Sequence, residues 1–107
     1  MSEYRPDRWV VLEFTKDDVT IRKLFGGWYG GYTGSDSWKL NSGITNIRID
    51  DGKYEFDGYS GSTYICHKNS HGMGNYQYQV FENWLKQAEK IEGYKITEIA
   101  LEDIVIS

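Results

Sequence analysis

Glycines are concentrated in one stretch of this 107-residue chain. Nine of the twelve glycines lie between Gly26 and Gly61. Large apolar side chains recur through the same stretch, which is too much apolar material for a disordered segment. Glycine allows tight turns and lets strands bend sharply. We therefore predict a folded, strongly curved β-sheet punctuated by glycine turns.

Short polar turns between runs of strand-forming residues predict antiparallel hairpins. Lys16-Asp17-Asp18 separates the first two runs. Thr45–Asp50 alternates with period two and leads into Asp51-Gly52, which suits the left-handed backbone of a two-residue hairpin turn. The predicted strands are 9–15, 19–25, 45–50, 53–57 and 62–67.

Helical periodicity is found near the C-terminus of the sequence. It predicts a helix over residues 75–92, with Asn75 as the cap and Gly93 after the end. The apolar stripe of this helix consists of Val80, Phe81, Trp84, Leu85, Ala88 and Ile91. Residues 94–106 predict one or two terminal strands.

These elements predict an α+β fold, in which one amphipathic helix packs on a single curved antiparallel β-sheet of five to seven strands. The length fits one domain over residues 1–107. In this domain a polar arm, residues 1–8, precedes the β-rich region 9–67, the helix and the terminal strands.

Charge and cysteine content limit the function classes. The net charge is −4 and the basic residues are scattered singly, so duplex nucleic acid is not an expected ligand. Cys66 is the sole cysteine, which excludes an internal disulfide and favours a reducing cytoplasm. No apolar run approaches the ~18 residues that span a bilayer. We expect a cytoplasmic protein without a membrane partner, metal or cofactor.

A pentapeptide occurs twice, as GYTGS at residues 31–35 and as GYSGS at residues 58–62. Turn geometry explains the glycines but not the tyrosines and hydroxyl side chains. If both turns lie at one end of the sheet, their N–H groups and hydroxyls can bind phosphate while the tyrosine rings stack on a base. This hypothesis makes Tyr32, Ser35, Tyr59, Ser60 and Ser62 candidate ligand-binding residues.

An aromatic platform is predicted around the first pentapeptide. Trp28, Tyr29 and Tyr32 fall within five residues, and Trp38 follows closely, although either tryptophan taken singly is expected in the core. On a strand, Lys39 and Asn41 share one face, where lysine suits a phosphate and the amide suits a base edge. Ser37 and Trp38 complete this set of candidates.

The segment from Cys66 to His71 contains both histidines. Its spacing is a weak zinc signal, and neighbouring strand residues point to opposite faces, so Cys66 and His67 do not form a nucleophile–base pair. We predict that Cys66 is a core residue. His67, Lys68 and His71 are predicted to make polar contacts at the strand end, with His67 as the candidate base of any catalysis. Tyr64, His67 and Lys68 are also candidate ligand-binding residues.

Two stretches carry a family resemblance. GWYGGYTGSDSWKLNSGI, residues 27–44 from Gly27, and GYSGSTYICHK, residues 58–68, resemble a family of small uncharacterised proteins from tailed bacteriophages, including T4-like phages. The resemblance covers about the middle 40 residues. It implies a phage protein that acts in the host cytoplasm, where such accessory proteins counter host defence or redirect a host enzyme.

Together these features favour a non-catalytic binding module that sequesters a nucleotide-like host signalling molecule, with a site completed across a homodimer. One alternative is a protein that inhibits a host protein through Trp28, Tyr29 and Tyr32. A second alternative is a small hydrolase or lyase that uses His67 with Tyr64 or Lys68.

Overall fold

The computed structural model describes residues 2–30 and 36–104 and has an α+β fold, as predicted. The strands are β1 (Glu3–Tyr4), β2 (Arg8–Lys16), β3 (Val19–Trp28), β4 (Ser37–Leu40), β5 (Ile44–Asp50), β6 (Lys53–Gly58), β7 (Thr63–His67) and β8 (Tyr94–Ile99). The helix is α1 (Asn75–Ala88), and short 3-10 turns cover Lys68–Ser70 and Leu101–Asp103.

The strands form two four-stranded sheets, where the sequence analysis expected one. Sheet A has the order β1-β7-β6-β5 and sheet B the order β4-β3-β2-β8. The cause lies in β2, whose residues Trp9–Leu12 are buried on both faces. Trp9 and Val11 pack between the sheets, whereas Val10 and Leu12 pack in the cluster that includes Phe81 of α1. A strand apolar on both faces requires a layer on each side, so sheet B lies between sheet A and α1.

Both predicted hairpins are confirmed. Lys16 pairs with Val19 across a turn in which Asp17 has a φ of 55°, and Asp50 pairs with Lys53 across Asp51-Gly52, where both φ angles are positive. GYSGS also forms a turn, in which the Gly61 N–H donates to the Gly58 carbonyl at 3.0 Å. Gly61 has a φ of 92°, the conformation that explains a glycine there.

The helix differs from its prediction at both ends. Its N-cap is Gly74 rather than Asn75, and the side chain of Gln77 accepts a hydrogen bond from the Gly74 N–H at 2.9 Å. Because Gln77 is buried, it caps the N-terminus of the helix from inside the protein. The helix ends at Ala88, so Ile91 lies outside it and is 44% exposed. Phe81 is the buried anchor, whereas Trp84 is only half-buried.

The N-terminal arm is part of the fold. Glu3 and Tyr4 pair in parallel with Thr63 and Tyr64 of β7, and the Tyr4 and Tyr64 rings lie 5.0 Å apart. The arm is not simply polar, because Tyr4 joins the cluster between the sheets. Within the described residues, no helix has both the length and the apolar character needed to cross a membrane.

Candidate functional site

An open groove of about 580 Å³ lies where β1 of sheet A meets β4, the edge strand of sheet B. Its lining residues are Glu3, Tyr4, Arg5, Trp28, Ser37, Trp38 and Lys39. We call it the aromatic groove. Four of the predicted ligand-binding residues, Trp28, Ser37, Trp38 and Lys39, are therefore brought together there.

Strand register places the side chains of the aromatic groove. Trp28, the last residue of β3, pairs with Ser37, and Lys39 follows two residues later on the same face of β4. The Trp28 indole N–H donates to the carbonyl of Arg5 at 3.0 Å, which ties β3 to the residue after β1. Trp28 also meets the Tyr4 ring edge-on at 6.3 Å between centroids. A rigid two-ring surface results, with polar side chains beside it.

The aromatic groove has two cations and one anion. The Lys39 ammonium lies 5.1 Å from the centre of the Tyr4 ring and has no ion pair within residues 2–30 and 36–104. Arg5 lies 3.5 Å from the Glu3 carboxylate, and both side chains are exposed. Lys39 is thus the cation available to an incoming anion. An aromatic surface beside an exposed ammonium and the Ser37 hydroxyl suits a planar ring that carries a phosphate or carboxylate.

Two predicted ligand residues are buried and have structural roles. Asn41 is 5% exposed, and its side-chain oxygen accepts hydrogen bonds from the Leu24 and Gly43 N–H groups. It therefore holds the turn after β4 and does not read a base edge. Tyr64 is 4% exposed between the sheets, where burial raises its pKa. Alternation along β7 turns it to the interior.

Tyr59 of the second pentapeptide lies away from Trp28 of the aromatic groove. Tyr59 is 74% exposed, and its ring borders Gly43 together with Ile21. Ile21 precedes Trp28 by seven residues of β3, which is roughly 23 Å of strand. The Ser60 N–H donates to the Ser42 hydroxyl at 2.9 Å, which joins the GYSGS turn to the turn after β4. Tyr59 is thus remote from Trp28, whereas Ser62 directly precedes Thr63, which pairs with Glu3 of the aromatic groove.

His67 and Lys68 lie at the other end of sheet A. Lys53 pairs with His67, whereas Asp57 pairs with Thr63, so the GYSGS turn and His67 are at opposite ends of β7, roughly 13 Å apart. His67 is exposed and Tyr64 is buried on the other face, so these two do not form the pair that a hydrolase would use. Cys66 is fully buried, as predicted, and burial raises its thiol pKa.

The first pentapeptide, including Tyr32 and Ser35, lies outside the described residues. Its two flanks are described: the Gly30 N–H donates to the Asp36 carboxylate at 2.7 Å. Tyr29 just before it is 57% exposed, and its backbone N–H donates to Asp7 at 2.9 Å. The hypothesis that the two pentapeptides share a pocket remains a prediction.

Three members of the aromatic groove, Glu3, Tyr4 and Arg5, were not predicted from the sequence. Their only sequence signal is an aromatic ring next to a cation in a polar arm, and the partner of that arm lies 60 residues further on in β7. Among the described residues, no three histidine, cysteine or acidic side chains cluster as metal ligands do. Comparisons of the chain with protein-family models, curated proteins and solved structures find no match. The phage resemblance remains a prediction as well.

Proposed function

We propose that the protein is a binding module that takes up a nucleotide-like molecule in the aromatic groove. One observation supports this most: Trp28 and Lys39 from sheet B meet Tyr4 and Arg5 from the N-terminal arm in a single open groove. A planar base would lie against the Trp28 and Tyr4 rings, and its phosphate would be bound by Lys39, Arg5 and the Ser37 hydroxyl.

The biological role follows from the phage resemblance and is proposed with it. A small accessory protein that binds a host nucleotide signal without turning it over would lower the free concentration of that signal. This function needs affinity and abundance rather than catalysis. It is consistent with an exposed groove whose described lining has one carboxylate, Glu3, which is already paired with Arg5 at 3.5 Å.

Calorimetric titration with cyclic dinucleotides, cyclic oligonucleotides and ADP-ribose derivatives tests the proposal. We expect one class to bind and to quench tryptophan fluorescence. Lys39→Gln should weaken that ligand roughly tenfold, because it removes a charge-assisted contact. Lys68→Gln is the matched control, since it removes an exposed lysine at the far end of sheet A. No heat with any compound, or equal losses in both variants, would refute the proposal.

Inhibition of a host protein is a second candidate function, favoured by exposed tyrosines beside the N-terminus of α1. Tyr29 lies against Gly74, and Tyr76 follows two residues later; they are 57% and 41% exposed. In affinity capture from host lysate, this function predicts one stoichiometric partner. Tyr29→Ser with Tyr76→Ser should abolish capture, Lys39→Gln should leave it intact, and nucleotides should not compete.

A further inference from the structure

A second groove, of about 430 Å³, lies between the C-terminal half of α1 and the end of sheet B. Its walls include Phe14, Ile21, Leu40, Trp84, Ile91 and Ile96. We call it the apolar groove. It belongs to the α1-bearing face of sheet B, where Leu40 points, whereas Lys39 of the aromatic groove points to the other face. The two grooves are therefore independent.

The apolar groove exists because α1 is too short to cover its sheet. Cross-strand pairing places Phe14 between Ile21 and Ile96, in a row of apolar side chains across three strands. The helix ends at Ala88, and Ile21 remains 41% exposed. Val19 at the end of the same face of β3 is 63% exposed. Contiguous exposed apolar surface of this kind marks a binding site more often than scattered single residues do.

Charge identifies the ligand class. Two lysines, Lys16 and Lys23, line the apolar groove, and its lining within the described chain contains no carboxylate, although the protein has a net charge of −4. The Lys16 ammonium already donates hydrogen bonds to the Asp17 carboxylate at 3.1 Å and to the Glu92 carbonyl at 3.2 Å. Lys23 has no ion pair among residues 2–30 and 36–104, and its ammonium lies 5.6 Å from the centre of the Phe14 ring.

Two carboxylates near Lys23, those of Glu98 and Glu13, are not paired with it. Leu12 pairs with Lys23 on one side and with Glu98 on the other, so Glu98 stands two strands away, at roughly 10 Å. The neighbouring Arg22 already pairs with Glu13 at 3.1 Å, and both point to the other face of the sheet. The half-buried Lys23 therefore stands beside a row of hydrocarbon side chains, without an ion pair among the described residues.

We propose that the apolar groove binds a long-chain carboxylate of the fatty-acid type. The carboxylate pairs with Lys23, and the hydrocarbon chain lies along Phe14, Ile21 and Ile96 toward Ile91. The volume falls in the roughly 300–1,000 Å³ range of small-ligand sites, which are mostly apolar with few polar groups. Aliphatic side chains outnumber aromatic ones by six to three in the lining, which suits a flexible hydrocarbon chain better than a polar base.

A chain-length series tests this proposal by calorimetry below the micelle concentration. Octanoate, decanoate and dodecanoate should gain affinity by about fourfold for each methylene buried. Dodecanol and dodecyltrimethylammonium should bind at least tenfold more weakly than dodecanoate, because neither carries the anion that Lys23 attracts. Affinity that does not depend on chain length, or a preference for the cation, would overturn the proposal.

Matched variants test whether the ligand binds in the apolar groove. Ile91→Asp should weaken dodecanoate at least tenfold, whereas Ile49→Asp should not, since Ile49 is 50% exposed on the edge strand of sheet A. Lys23→Gln should weaken dodecanoate but not dodecanol, and Lys53→Gln should change neither. Circular dichroism confirms that each variant is folded. If Ile49→Asp weakens binding equally, or if sedimentation shows a dimer that Ile91→Asp dissociates, the groove is not a fatty-acid site.

Discussion

Gly27 gives the sharpest test of how α1 is attached to sheet B. A Cβ atom at this position would lie within 2.3–2.6 Å of three side-chain atoms of Gln77. No positive φ is found at Gly27, so its backbone conformation itself would accept alanine. The clash with Gln77 is therefore the reason for glycine here.

The magnitude follows from what Gln77 does. Its side chain accepts a hydrogen bond from the Gly74 N–H at 2.9 Å and donates one to the Phe25 carbonyl at 3.3 Å, while only 3% exposed. Gly27→Ala must displace this side chain and lose both bonds, each worth about 1 kcal/mol. Overpacking adds about 1–3 kcal/mol. We expect the free energy of unfolding to fall by about 3–5 kcal/mol.

Urea unfolding followed by circular dichroism measures the loss, and a double-mutant cycle identifies its cause. Gln77→Ala alone should lower the free energy of unfolding by about 1–2 kcal/mol. Gln77→Ala also removes the clashing atoms. The double variant, Gly27→Ala with Gln77→Ala, should therefore lose at least about 1 kcal/mol less unfolding free energy than the two single variants lose in sum. Additive losses, or a Gly27→Ala protein as stable as the parent, would show that this contact does not attach the helix.

Two further predictions concern how the stability of the fold changes as the pH falls. Hydrogen bonds from Arg48 and then Thr63 lower the pKa of Asp57 to about 2, so this carboxylate stabilises the fold above about pH 4 and the contribution is lost as the pH falls toward 2. Urea midpoints of Asp57→Asn should fall less over that window than those of the parent. Burial lowers the pKa of His71 from 6.5, so the unfolded chain takes up that proton first and stability decreases as the pH falls below about 6.5. His71→Phe should flatten the decrease between pH 7.5 and 5.5, and an unchanged slope would contradict the assignment.

Local patterns in the sequence predict the parts of this fold that local chemistry determines. Asp51-Gly52 fixes a two-residue hairpin, and the turn at Asp17 fixes another, because each needs only neighbouring residues. The division into two sheets depends on what lies above and below β2. The unbroken apolar run from Trp9 to Leu12 carries that information, since a half-exposed strand would alternate.

The sequence predicts only those parts of the candidate site that lie on strands next to each other in the chain. Trp28 and Lys39 lie on neighbouring strands, so pairing brings them together. Tyr4 lies beside them because β1 pairs in parallel with β7, and no turn in the sequence predicts that pairing. Asn41 follows the end of β4, where its amide is used by the backbone of the turn, and strand alternation does not describe a residue in a turn.

The position of β8 has a consequence for synthesis of the chain. β8 leaves the ribosome after the other seven described strands, and it pairs with β2, the second of them, with Lys16 beside Tyr94. Until β8 is made, the edge of β2 from Val11 to Lys16 has no partner in sheet B. Such edges recruit other chains. The nascent protein is therefore prone to aggregate until β8 has been made, and a chain that terminates before residue 94 would retain this unpaired edge permanently.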